Sequence, residues 1–241
     1  SPSTEGCLGL KLYNGRVLKP FQSKNRGETE LAFYEHVLPL RLPFLPAFFG
    51  VLELQADDDS SDLRRYLQLE DLLHGMTKPC IMDVKIGTKS YEPNASADKM
   101  ALEAAKSPLQ AIVGFRLQGI KVYCDGGYVS LDKHYMRTLS TLDEVVDGGF
   151  RKYVAAAGAE RRQLLMRLQA KVNAMVAWFD SQTTLHFIAS SLLFVYDAAD
   201  ATRGDVRLID FAHVQFDQST RDEGVRTGLR TVSSILAQLH E

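Results

Sequence analysis

Pro79-Cys80-Ile81-Met82-Asp83-Val84-Lys85-Ile86-Gly87 alternates apolar with polar side chains, as a half-buried β-strand does. Side-chain direction along a strand has period two, so Asp83 and Lys85 project to one side. A carboxylate and an ammonium thus serve one cleft. Upstream, Lys11 to Lys19 reads as two short strands around Asn14-Gly15, because a type I′ turn needs φ > 0 at both central positions. Between Arg26 and Val37 the residues Leu31, Phe33, Tyr34 and Val37 recur near helical spacing, and Pro39 closes the segment. Phe48 to Leu54 and Tyr66 to Glu70 read as strands. They flank the acidic run Asp57-Asp58-Asp59-Ser60-Ser61-Asp62, a solvated turn on this reading.

Downstream of the central strand, Asn94 and Ser96 are candidate caps for a helix to about Ala105. Ile112 to Tyr123 and Tyr128 to Leu131 are expected strands, and Leu142 to Tyr153 and Glu160 to Phe179 expected helices. In the last, Leu164, Leu165, Leu168, Val172, Met175, Val176 and Phe179 form a stripe that predicts a core-facing helix. Two apolar strands follow, His186 to Tyr196 and Val206 to Phe211, and then a helix from about Asp222 to Leu239.

The 241 residues, 45% apolar and 24% charged, are enough for one or two cores. No apolar run reaches the roughly eighteen residues of a membrane span, and Ser1-Pro2-Ser3-Thr4-Glu5 has no signal-peptide pattern. A soluble protein is expected, with further sequence ahead of Ser1. Cys7, Cys80 and Cys124 form no Cys-x-x-Cys pair and the histidines lack i, i+4 spacing, which argues for a reducing compartment and against a structural metal. A net charge of −2 gives no global field for nucleic acid or anionic membrane. Any polyanion must be held by local cations.

Three elements read together look like a kinase: Lys19 on an early strand, Glu30 eleven residues later on a helix, and Asp210 in Ile209-Asp210-Phe211 at a strand end. A lysine oriented by an acid can hold nucleotide phosphates, and a strand-end carboxylate suits Mg²⁺, which takes few protein ligands beside phosphate oxygens. The bland alternatives are a surface lysine and an Asp satisfied by backbone donors. No His-Arg-Asp loop and no Gly-x-Gly-x-x-Gly is present, so an ordinary protein kinase is excluded. The expected fold class is α+β, a two-lobed kinase-like fold. Residues 1–72 would make a small β-rich lobe and 73–241 a larger α/β lobe, with the nucleotide cleft between.

Pro79 to Gly87 contains Pro-x-x-x-Asp-x-Lys-x-Gly, and the chain resembles the inositol polyphosphate kinase family through it. Further matches in order are Lys85 to Ser96, Ser190-Ser191-Leu192-Leu193-Phe194-Val195-Tyr196, Leu208 to Val214, and Asp222-Glu223-Gly224 with Gly228-Leu229. The multikinase branch is the most similar, over essentially Lys19 to the C-terminus. Asp210-Phe211-Ala212-His213 sets the chain apart from trisphosphate 3-kinases, while the hexakisphosphate kinases are the nearest rival.

The resemblance implies that Lys19 contacts ATP phosphates, that Glu70, Asp71 and Leu72 form the hinge against adenine, and that Asp83 bonds the ribose. It implies that Asp210 binds Mg²⁺, with Ser190 or Ser191 adding a hydroxyl and Ser191 preferred. Arg26, Lys85, Lys99, Lys106 and His213 would hold the inositol phosphate. Lys85 would also act in catalysis, between acceptor and transferring phosphoryl. Seven helical residues turn about 700°, which aligns Lys99 with Lys106 on one face. A solvated face is the alternative, since five lysines meet Asp83, Glu92, Asp98 and Glu103 between Lys78 and Lys106. Leu102 stands at a helix position where the branch often carries a polar residue. The expected partners are soluble inositol polyphosphates and ATP, with a phosphoinositide headgroup as a further substrate the resemblance admits. The expected state is an intracellular monomer of nucleus or cytoplasm, and a non-catalytic scaffold is the rival of another class.

Overall fold

In the computed structural model, which describes residues 10–13, 15–55 and 63–240, alternating segments pair into two antiparallel sheets. The first contains β1 (Lys11–Tyr13), β2 (Arg16–Pro20), β3 (Phe48–Gln55) and β4 (Leu63–Glu70), in the order β1-β2-β4-β3. β1 and β2 make the expected hairpin, with Gly15 at φ +71°, a conformation that costs glycine little. Asn14, Cys7, the acidic run and the start of the chain lie outside the described residues. Helix α1 (Arg26–Val37) has the bounds its apolar spacing predicts, and Pro39 sits in the 3-10 turn Leu38–Leu40 that follows.

β5 (Pro79–Ile86) founds the second sheet. Its Cys80, Met82, Val84 and Ile86 are buried, whereas Ile81, Asp83 and Lys85 lie half-buried on the opposite face. α2 (Ala97–Ala105) starts at Ser96, whose hydroxyl accepts the Lys99 N–H; Ser96 is therefore the cap and Asn94 is not. The strand expected from Ile112 begins later. Ile112 and Val113 belong to a short helix, α3 (Gln110–Val113), and β6 (Phe115–Cys124) starts after Gly114. A short apolar run does not separate helix from strand. Here Gln110 anchors the helical turn by donating to the Gly87 carbonyl and the Ser90 hydroxyl, both at 2.9 Å.

β7 (Gly127–Leu131) pairs with β6, and α4 (Lys133–Met136) follows. The helix expected over Leu142 to Tyr153 is α5 (Leu142–Val145) and α6 (Lys152–Ala155), joined by a π-helical turn at Val146–Arg151. α7 (Arg161–Ser181) buries the predicted stripe, with Val176 at its margin. β8 (Ser191–Asp197) is shorter than expected. Ahead of it, His186 bridges Gln215, and the Phe187 N–H donates to Asp222 at 2.6 Å. β9 (Asp200–Ile209) begins early and stops before Asp210, so the expected polar connection is largely strand. α8 (Glu223–His240) completes the chain, and the second sheet has the order β7-β6-β5-β8-β9.

The two sheets share one continuous buried cluster. Phe33 of α1 stacks on Phe211 with ring centroids 4.0 Å apart, a contact worth about 0.5–1.5 kcal/mol beyond its burial. The Leu208 N–H donates to the Phe44 carbonyl, and the Arg207 guanidinium reaches both the Leu45 carbonyl and Glu70. Among the described residues no helix is long and apolar enough to cross a membrane.

Candidate active site

Lys19, Glu30 and Asp210, distant in sequence, meet where the two sheets face each other. Lys19 Nζ lies 2.8 Å from Glu30 Oε1 and 2.7 Å from Asp210 Oδ1. Burial opposes the Lys19 charge, yet the two carboxylates raise its pKa above the ordinary lysine value. Glu30 is buried and also accepts the Phe211 N–H at 3.2 Å. On the other side the Ser190 hydroxyl donates to the Asp210 carbonyl at 2.7 Å. The peptide that follows Asp210 is thus gripped at both its carbonyl and its N–H, and Asp210 itself sits in a left-handed conformation, φ +65°, which Asp tolerates better than most residues. Its carboxylate stays 47% exposed. α1 supplies the acid that holds the lysine and also fixes the turn that aims Asp210.

Asp83 and Lys85 emerge side by side from β5, as period two requires. Asp83 Oδ1 is buried with no hydrogen-bond partner, and burial raises the carboxyl to about 6 although the Ser191 hydroxyl and Lys85 oppose the shift. Lys85 donates to the Ala189 carbonyl at 2.9 Å and pairs in register with Ser191. Burial lowers its pKa, partly offset by the Asp83 and Asp210 carboxylates. Ser191 is buried next to Asp83, whereas Ser190 is engaged by Asp210.

Beside Lys85 opens a pocket of about 300 Å³ that Lys99, Lys106, Arg116 and His213 also line. Four cations and one imidazole converge on a volume suited to a small polyanion. His213 Nδ1 lies 3.0 Å from Glu92 Oε1, and Glu103 bonds both Lys106 and Arg116. Of the residues expected here, Arg26 is not brought to the pocket; its Nε donates to the Ser23 carbonyl at 3.1 Å. In the expected hinge, Glu70 accepts the Ala47 N–H and pairs with Arg207, while Asp71 accepts the Leu73 N–H.

Arg116, Glu103 and Glu92 are pocket residues that sequence reasoning passed over. Arg116 arrives through a β-bulge: Asp83 pairs with Gly119 but Val84 with Leu117, so Lys85 faces Arg116. Without that skipped residue Arg116 would point to the other side. A signal existed. The apolar positions Phe115 and Leu117 are odd-numbered whereas Ile120 and Val122 are even-numbered, a parity change that marks the bulge.

A family model described as inositol polyphosphate kinase matches residues 66–237. The chain is 37% identical to inositol polyphosphate multikinase of Homo sapiens over 198 residues, 77% of this chain and 46% of that protein. It is 31% identical to inositol polyphosphate multikinase IPK2 of Oryza sativa subsp. japonica, over 94% of this chain and 88% of that one. The chain spans about half the length of the mammalian relatives it matches. The crystal structure of inositol phosphate multikinase Ipk2 from S. cerevisiae, in complex with ADP and Mn²⁺, superimposes with a TM-score of 0.77 at 25% identity, over 97% of this chain and 100% of that one.

Proposed function

The chain belongs to the inositol polyphosphate kinase family, and on that premise we propose that it transfers the γ-phosphoryl of ATP to free hydroxyls of inositol tris- and tetrakisphosphates, towards the pentakisphosphate. The observation that carries this reading is the cationic pocket opening directly beside Asp83, Lys85 and the Lys19–Asp210 pair. The residues on either side of residue 72 then act as two lobes around a nucleotide cleft. Within it, Lys19 holds ATP phosphates, Asp83 receives the ribose and the main chain of Glu70 to Leu72 faces adenine, the Glu70 carboxylate being already engaged.

Among the described residues no three His, Cys, Asp or Glu side chains cluster. A half-exposed Asp210 carboxylate with Ser191 nearby nonetheless fits a divalent ion whose other ligands are phosphate oxygens. When bound, Mg²⁺ or Mn²⁺ would neutralise charge on the transferring phosphates, and the yeast relative's complex with ADP and Mn²⁺ supports that use. Phosphates entering the cleft would compete with Asp210 for Lys19, freeing the carboxylate. Lys85 stands between the nucleotide side and the pocket, where its ammonium offsets charge on the passing phosphoryl. Phosphoryl transfer needs positioning and charge stabilisation more than a dedicated base.

Product analysis with tris-, tetrakis-, pentakis- and hexakisphosphate offered separately tests the reading. Mg²⁺-ATP should be consumed with the first two, and no consumption with any of them would sink it. A charged hydrogen bond is worth roughly 1.5–3 kcal/mol, so Lys99→Ala and Lys106→Ala should each lower kcat/KM for the inositol substrate by about tenfold to a hundredfold. The KM for ATP should barely move. Unaltered inositol kinetics in both variants would make α2 a merely solvated helix.

The raised Asp83 carboxyl gives a pH signature. A neutral Asp83 accepts ribose hydrogen bonds less well, so kcat/KM for ATP should fall below about pH 6 towards a lower plateau. An ordinary carboxyl would stay charged about two units lower. Asp83→Asn should run at a lower level and lack this limb. A limb that survives in the asparagine variant belongs to another group.

A further inference from the structure

Glu103 is a carboxylate inside a pocket otherwise built for anions. It stands four residues after Lys99 and three before Lys106, so all three share one face of α2. Its Oε1 accepts from Lys106 Nζ and its Oε2 from Arg116 Nη2 at 3.2 Å, while Arg116 Nη1 reaches the Glu103 carbonyl at 3.4 Å. Arg116 is only 9% exposed and its buried Nε has no partner. The arginine is therefore fixed at the pocket wall with hydrogen-bonding capacity left over. Glu92, the other acid lining the pocket, is turned to His213, and Glu103 stands between Lys106 and Arg116.

A ring phosphate approaching Lys106 and Arg116 would meet the Glu103 carboxylate at close range, and like charges repel strongly where water is partly excluded. A free ring hydroxyl would meet the opposite condition. It donates to a carboxylate, and the two bonds Glu103 already accepts leave room for a third. We propose that Glu103 is a specificity-determining residue that admits a free hydroxyl at one position of the inositol ring and rejects a phosphate there. The pocket then discriminates against a fully phosphorylated ring. The inference rests on the inositol phosphate kinase reading and adds a reason why the hexakisphosphate should be a poor ligand.

The test is calorimetric titration of the protein with inositol trisphosphate and, separately, inositol hexakisphosphate, for wild type, Glu103→Gln and Glu103→Ala. Both variants remove the charge, and glutamine keeps the shape. Hexakisphosphate affinity should rise at least about tenfold in both, and trisphosphate affinity should change less than about threefold. The ratio is the decisive readout, because a carboxylate that merely props Lys106 and Arg116 would weaken both ligands together when lost. A ratio within about twofold of wild type, or one that moves in a single variant only, overturns the proposal. Turnover of Mg²⁺-ATP with the trisphosphate is measured alongside. Turnover without a shifted ratio sinks the Glu103 role alone, and a shifted ratio without turnover sinks the kinase reading alone.

Discussion

Asp210→Asn is expected to lower kcat by about a thousandfold or more while the protein stays folded, the scale on which charge-stabilising groups act in phosphoryl transfer. The substitution isolates charge. Asparagine is isosteric and, like aspartate, accepts the left-handed backbone that Asp210 adopts at φ +65°. The Ser190 and Glu30 bonds to the Asp210–Phe211 peptide do not involve the Asp210 side chain and should persist. What disappears is half of the carboxylate pair around Lys19 and the anionic site proposed for the divalent ion. Because that charge matters most as the phosphoryl moves, kcat should fall far more than ATP affinity. Saturation curves in both substrates, with a thermal melt as folding check, decide it. Near-normal kcat in a folded variant would remove Asp210 from the mechanism.

Lys85→Met should depress kcat by about a hundredfold to a thousandfold, as loss of a preorganised charge-stabilising donor does, with ATP binding retained. Methionine approximates the aliphatic stem of lysine but leaves the Ala189 carbonyl without its ammonium donor at 2.9 Å. That loss costs about 1–3 kcal/mol of stability, so the folding check matters here as well. Lys85→Arg should rescue poorly. The larger planar guanidinium would be directed at its register partner Arg116, itself a guanidinium already tied to Glu103. If the methionine variant keeps its kcat and loses only inositol affinity, Lys85 is a ground-state anchor and its role in the transfer step is wrong.

Much of the candidate site was legible because its signals are local. Period two in β5 aligns Asp83 with Lys85, and the spacing of Leu31, Phe33, Tyr34 and Val37 delimits α1 at its observed ends. Lys19, Glu30 and Asp210 were grouped by residue type and order, and folding brings them within hydrogen-bonding distance. Arg26, which only the family resemblance assigned to the substrate side, donates to the Ser23 carbonyl. Between Ser190 and Ser191 the resemblance gave a preference for Ser191 but no geometry. Their roles diverge only because β8 starts at Ser191, which leaves Ser190 free to grip the Asp210 carbonyl.

Sequence by itself determined the secondary elements with clear periodicity and the α+β class, since each depends on neighbours a few residues apart. Tertiary structure alone decided which charges share the pocket. The bulge opposite Asp83 and Val84 rotates Arg116 beside Lys85, and the fall of the chain after β5 carries Glu103 to meet it from α2. A strand register shifted by one residue reverses every side chain, and thirteen positions separate Glu103 from Arg116. Neither relation follows from local propensity. Both are fixed only when the sheet closes over its core, with Ile86 and Phe115 buried on one face and the cations left on the other.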